Sequence, residues 1–74
     1  MTEKHKASVV KIIELVGVSQ ESWEDAAQNA VREASQTLNN ITGVGVLRCT
    51  GTVEDGKITE YKANVKIAFG LDDR

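Results

Sequence analysis

Three patterns of apolar and polar positions follow one another along the chain. Residues 8–16 are dense in β-branched and aliphatic side chains, with Val9, Val10, Ile12, Ile13, Leu15 and Val16, and end at Gly17, which predicts a strand. One face of that strand carries Val9, Lys11, Ile13 and Leu15, and the other carries Val10, Ile12, Glu14 and Val16. Both faces are apolar, so the strand expects cover on both sides. A single helix covers only one.

The period then changes. Trp23, Ala26, Ala27, Ala30, Val31, Ala34 and Leu38 recur at helical spacing, which predicts an amphipathic helix of about five turns. Ser19 or Ser22 is placed to cap its start, and Glu21, Glu24 and Asp25 suit the positive end of its dipole. Asn39-Asn40 is placed to end it in the left-handed conformation. The apolar stripe is mostly alanine, which lets a sheet approach closely, and Trp23 is its one large anchor.

The third pattern is a hairpin. Asp55-Gly56 signals a two-residue type I′ turn between two runs of strand character, 44–53 and 58–71. Pairing Glu54 with Lys57 and counting back sets Thr50 opposite Tyr61, Arg48 opposite Ala63, Val46 opposite Val65 and Val44 opposite Ile67. Tyr61, Ala63, Val65, Ile67, Phe69 and Leu71 then form the face that packs on the helix. The other face reads Gly45, Leu47, Cys49 and Gly51 beside Glu60, Lys62, Asn64 and Lys66, and is where subunit contacts or a ligand are expected. Lys62 and Lys66 also read as ordinary solubilising residues, and a bulge in either strand would shift this register. The fold class that follows is α+β, a β-α-β-β unit whose three-stranded antiparallel sheet partly wraps one helix.

Length makes self-association the expected route to stability. A chain of 74 residues forms one domain and buries only about 60% of its unfolded surface. Cys49 is the only cysteine, so no internal disulfide forms, and with His5 alone beside it a zinc cluster has too few ligands. Residues 1–7 read as a frayed or disordered tail ahead of a single domain over 8–74. One cysteine and no apolar run near the roughly 18 residues of a membrane span predict a cytoplasmic protein with no membrane partner. A net charge of −2 with mixed signs and one each of Trp, Tyr and Phe argue against nucleic acid as a partner.

The order of these pieces resembles the dodecin family. The resemblance runs through Ile12-Ile13-Glu14-Leu15-Val16-Gly17-Val18-Ser19, Ser22-Trp23-Glu24-Asp25-Ala26-Ala27 and Ala63-Asn64-Val65-Lys66-Ile67-Ala68-Phe69, and spans nearly the whole chain after the tail. It implies a hollow homododecamer of tetrahedral symmetry that binds or stores a small molecule, with FMN or riboflavin as the family's usual ligand. In the flavin binders a tryptophan near the start of the second strand stacks on the ring, and a glutamine on the third strand hydrogen-bonds its polar edge. Gly43 stands at the tryptophan's position here and Lys62 at the glutamine's, so both flavin determinants are missing and no cofactor-binding residue is assigned. Ser22-Trp23 resembles a subgroup that also lacks the flavin tryptophan and is associated with cations. A cation-binding variant, or a shell for another ligand, is therefore the alternative.

Candidate cation ligands are Glu21, Glu24 and Asp25 at the helix start, Glu54 and Asp55 at the hairpin, and Asp72 and Asp73 at the end. None has EF-hand spacing, and helix-dipole pairing and turn chemistry account for the first two sets as they stand, so the metal site is left unknown. No catalytic residue is assigned and the chain is read as a non-enzyme. Cys49 has no histidine near it in sequence and reads as a small packed strand residue. Gly43-Val44-Gly45 lacks the spacing of a phosphate loop and reads as room for a neighbouring backbone or an emptied flavin slot.

Overall fold

The computed structural model describes residues 8–71, in the order β1 (Val10–Ser19), α1 (Trp23–Ser35), β2 (Ile41–Glu54) and β3 (Lys57–Gly70). The expected tail over 1–7 and the terminal Asp72 and Asp73 lie outside the described residues. The three strands form one antiparallel sheet in the order β1-β3-β2, so the last strand is central. No helix among the described residues is long and apolar enough to cross a membrane.

β1 runs past Gly17 to Ser19, three residues beyond the sequence expectation. Gly17 is where strand and helix meet. A Cβ there would lie 1.9 Å from the Ala26 carbonyl oxygen and 3.1 Å from the Ala30 Cβ, so the absence of a side chain is what lets β1 sit against the alanine stripe. Ala26, Ala30 and Ala34 meet Ala63, Val65 and Ile67 to form the buried core, with Ile13, Leu15, Ala27, Val31, Leu38 and Ile41 packed around it.

The β1–α1 turn is tied by hydroxyls. Ser22 is the cap and its Oγ accepts from the Asp25 backbone N–H at 3.0 Å. Ser19, buried, donates from Oγ to Asp25 Oδ2 at 2.8 Å and accepts from the Glu21 N–H at 2.8 Å. Of the two serines offered as caps, Ser22 takes that role and Ser19 organises the turn before it. The helix stops at Ser35, short of the expected five turns, because a tighter turn takes over: the N–H groups of Thr37 and Leu38 both reach the Ala34 carbonyl. Asn40 does adopt positive φ, at 65°, but in the link to β2 rather than at the helix end.

The hairpin closes as its sequence predicts, with Asp55 and Gly56 at φ 54° and 77° and Glu54 opposite Lys57. Two bulges then alter the register. Thr59 is an extra residue on β3 and Leu47 an extra residue on β2, so that between them Gly51 faces Tyr61, Thr50 faces Lys62, Cys49 faces Ala63 and Arg48 faces Asn64. Beyond Leu47 the shifts cancel, and Val46 faces Val65 and Val44 faces Ile67 as counted from the turn. A third irregularity at Thr42 brings Ile41 opposite Phe69. Leu71, expected on the packed face, lies just past β3 and is exposed.

The helix is too short for its sheet. Thirteen residues make a helix of about 20 Å, whereas the fourteen residues each of β2 and β3 span on the order of 45 Å. Val44 and Val46 on β2 stay exposed on the helix side, and Val10, Ile12, Val16 and Val18 of β1 stay exposed on the opposite face. The expectation that β1 needs cover on both sides meets a chain that supplies it on one.

Candidate functional site

Two surfaces remain open, one on each side of the sheet. On the helix side a groove of about 260 Å³ lies between α1 and β2, lined by Trp23, Ala27, Val31, Val44, Val46 and Cys49, with Glu24 and Gln28 at its rim. Trp23 is fixed there from two directions. Its Nε1–H donates to the Thr50 carbonyl at 2.7 Å, and its ring meets Tyr61 edge to face at 4.8 Å. Trp23 thus joins the first helical turn to both hairpin strands, which is the anchoring role its place on the apolar stripe suggests.

Cys49 is corrected by the bulge at Thr59. The simple count puts it on the far face with Lys62, but the shifted register pairs it with Ala63 and turns it into the groove, where it is an exposed free thiol. Gly51 moves with it, opposite Tyr61 and close to the Trp23 ring. The same shift carries Arg48 and Thr50 in the other direction, off the helix face.

The far face therefore reads Gly43, Gly45, Arg48, Thr50 and Thr52 on β2, against Ala68, Lys66, Asn64, Lys62 and Glu60 on β3. On β1 it continues as Val10, Ile12, Glu14, Val16 and Val18. Gly43 and Lys62, the positions at which the family resemblance leads flavin contacts to be expected, share this face but lie far apart along it. Gly43 pairs with Ala68, six residues from Lys62, about 20 Å along the strand. One ligand touching both would have to bridge two copies of the chain. A Cβ built at Gly43 or Gly45 would meet nothing within 4 Å, so this end of the face is bare backbone with space above it. Lys62 pairs with Glu60 at 3.8 Å, and Glu60 also accepts from Thr52 Oγ1 at 3.3 Å.

Of the acidic candidates, Glu24 and Asp25 line one open depression together with Ser22 and Gln28. Asp25 is held by Ser19 and by the helix cap, Glu21 supplies a backbone N–H to the same serine, Glu24 rims the groove, and Glu54 and Asp55 make the hairpin turn. No group of three or more His, Cys, Asp or Glu able to hold a metal ion occurs among the described residues. Sequence reasoning missed the roles of Ser19 and Gly17. The run Gly-Val-Ser at the end of an apolar strand, one turn before an alanine stripe, is the signal that could have found them.

Comparison with known proteins falls on one family. The family model described as Dodecin matches residues 9–72. The dodecin of Thermus thermophilus is 34% identical over 65 residues, covering 88% of this chain and 94% of that protein. The calcium dodecin of Mycobacterium tuberculosis is 36% identical over 65 residues, covering 86% and 90% respectively. A crystal structure from Thermus thermophilus superposes with a TM-score of 0.83 at 33% identity, over 89% of this chain and 97% of that one.

Proposed function

The chain belongs to the dodecin family, and on that premise we propose that it assembles into a hollow homododecamer that binds and stores a small molecule in the cytoplasm without turning it over. The observation that carries this reading is the apolar surface the chain leaves uncovered. Val10, Ile12, Val16 and Val18 form an exposed apolar row on β1, broken by Glu14 alone, while Ile67 and Val65 are the largest fully buried side chains. A row of that kind marks an interaction surface, and closed symmetric assembly is the commonest way to cover one. Mass measurement by light scattering tests it: twelve copies of the 8.0 kDa chain give about 96 kDa, and a monomer would refute the proposal.

FMN or riboflavin is the family's ligand to test first, although Gly43 and Lys62 remove its two usual contacts. Saturable quenching of flavin fluorescence by the assembled protein would support flavin storage. The second reading is cation binding, favoured by the 36% identity to a relative named calcium dodecin. Since no acidic cluster occurs within the described residues of one chain, such a site would be shared between copies. A chelator would then lower the melting temperature, as removal of any ligand bound only by the folded state does. An assembled protein indifferent to flavin and chelator would be a shell for another ligand.

A further inference from the structure

Because the two bulges cancel, the hairpin has two registers that agree everywhere except in one segment of β2. β3 is fixed by β1, since those strands pair without a shift from Val10 opposite Gly70 to Ser19 opposite Tyr61. On β2, Glu54 opposite Lys57 and Val46 opposite Val65 already stand where a bulge-free hairpin puts them. Only residues 48–52 differ. Sliding them by one residue, about 3.3 Å, would set Leu47 opposite Asn64 and Thr52 opposite Thr59, so both extra residues would gain partners and both bulges would close. The slide would also exchange faces, turning Arg48 and Thr50 towards the helix and Cys49 and Gly51 away from it. The ladder alone favours the bulge-free register, so a contact outside the ladder must hold the observed one.

We propose that this contact is Trp23: its indole seats on a glycine, and thereby selects, from the helix side, which residues of β2 the opposite face of the sheet presents. In the observed register Gly51 faces Tyr61, the ring that Trp23 meets edge to face at 4.8 Å. A Cβ on Gly51 would lie 3.8 Å from Trp23 Cζ2, and 3.3 Å from both the Glu60 carbonyl oxygen and Ile58 Cγ2. That space takes one more atom tightly and has no place for a branched side chain. In the bulge-free register Thr50 would stand there, opposite Tyr61, with its methyl and hydroxyl directed at the indole, and Arg48 would replace Cys49 opposite the fully buried Ala63. The indole also holds the segment by its backbone, through the 2.7 Å bond from Nε1–H to the Thr50 carbonyl. Two other contacts follow the bulge, from Thr59 Oγ1 to the Thr52 carbonyl at 3.4 Å and from Thr52 Oγ1 to Glu60 at 3.3 Å, and both are long for hydroxyl hydrogen bonds. Two packings of one segment make a two-state element, and Trp23 is the positioning residue that biases it. The inference stands within one chain and depends on neither the assembly nor its ligand.

The test exchanges two neighbours. Thr50→Gly combined with Gly51→Thr moves the glycine to the residue that the bulge-free register places beneath Trp23, and leaves the indole and the hairpin turn intact. In a crystal structure of this variant both bulges should be closed, with Cys49 opposite Lys62 and Arg48 opposite Ala63; Cys49 still opposite Ala63 would overturn the proposal. Should the exchanged variant not fold, Thr50→Gly alone lets the indole seat in either register. The chain has one tryptophan and one cysteine, and Cys49 lines the groove with Trp23, so a nitroxide on Cys49 reports the register by contact quenching of Trp23 fluorescence. If the two registers are shared, quenching in Thr50→Gly should fall to about half that of the labelled wild-type chain or less, whereas equal quenching would overturn the proposal. A Trp23 that served only as an anchor would give variants with lowered melting temperatures and both bulges in place, which also counts against it.

Discussion

Gly17→Ala is the smallest substitution with the largest expected effect on this fold. The added methyl would lie 1.9 Å from the Ala26 carbonyl oxygen, 2.8 Å from its carbon and 3.1 Å from the Ala30 Cβ. Ordinary contact begins at 3.4 Å, so strand and helix must separate by about 1.5 Å, the difference between 3.4 and 1.9. The obstructing atoms are backbone, and no rotamer change relieves them. Separation loosens the whole alanine stripe, because a gap of 0.5–1 Å already forfeits about a quarter to a half of a dispersion contact. Overpacking typically costs about 1–3 kcal/mol, and a backbone clash belongs at the upper end. For a domain of this size about 3 kcal/mol lowers the melting temperature by roughly 12–24 °C. The assay is thermal unfolding followed by circular dichroism at matched subunit concentration, with Gly45→Ala as the control, since a Cβ there meets nothing within 4 Å. Equal melting temperatures for Gly17→Ala and the control would refute the argument that close strand–helix approach depends on Gly17.

Three other variants probe the cap, the exposed apolar row of β1 and the far face of the sheet. Ser22→Ala removes the acceptor of the Asp25 N–H and should cost about 1 kcal/mol, read as a lowered urea midpoint with unchanged slope. Ile12→Lys places a charge on the exposed apolar row of β1. It should leave the circular dichroism spectrum of the subunit intact while shifting the mass by light scattering to smaller species, because burying an unpaired ammonium in an interface is costly; an unchanged mass would remove that row from the interface. Gly43→Trp combined with Lys62→Gln places a tryptophan and a glutamine at the two positions expected to carry the flavin contacts, the first with space around its Cβ. Riboflavin affinity should rise, and no gain in a fluorescence titration would count against the placement of Gly43 at the tryptophan's position.

Much of this chain is legible from local pattern. The doubly apolar β1, the alanine-striped helix and the Asp55-Gly56 hairpin each follow from side-chain period and turn chemistry, which act over a few residues. The same logic identifies Ser22 as a possible cap and Val44 and Val46 as partners of Ile67 and Val65, because those pairs lie beyond the point where the two register shifts cancel.

What lies between the bulges was decided by tertiary structure. Nothing in the run Val46-Leu47-Arg48 or in Ile58-Thr59-Glu60 announces an extra residue, since a bulge answers the need of a long sheet to bend around a shorter helix, and that mismatch exists only once both are packed. One extra residue exchanges the faces of everything after it until a second restores them. Cys49 thereby reaches the groove, Gly51 comes close to the Trp23 ring, and Arg48 joins Lys62 and Lys66 on the open face. The sequence determined which residues the strands contain, whereas packing determined which side of the sheet the chemistry of 48–51 occupies.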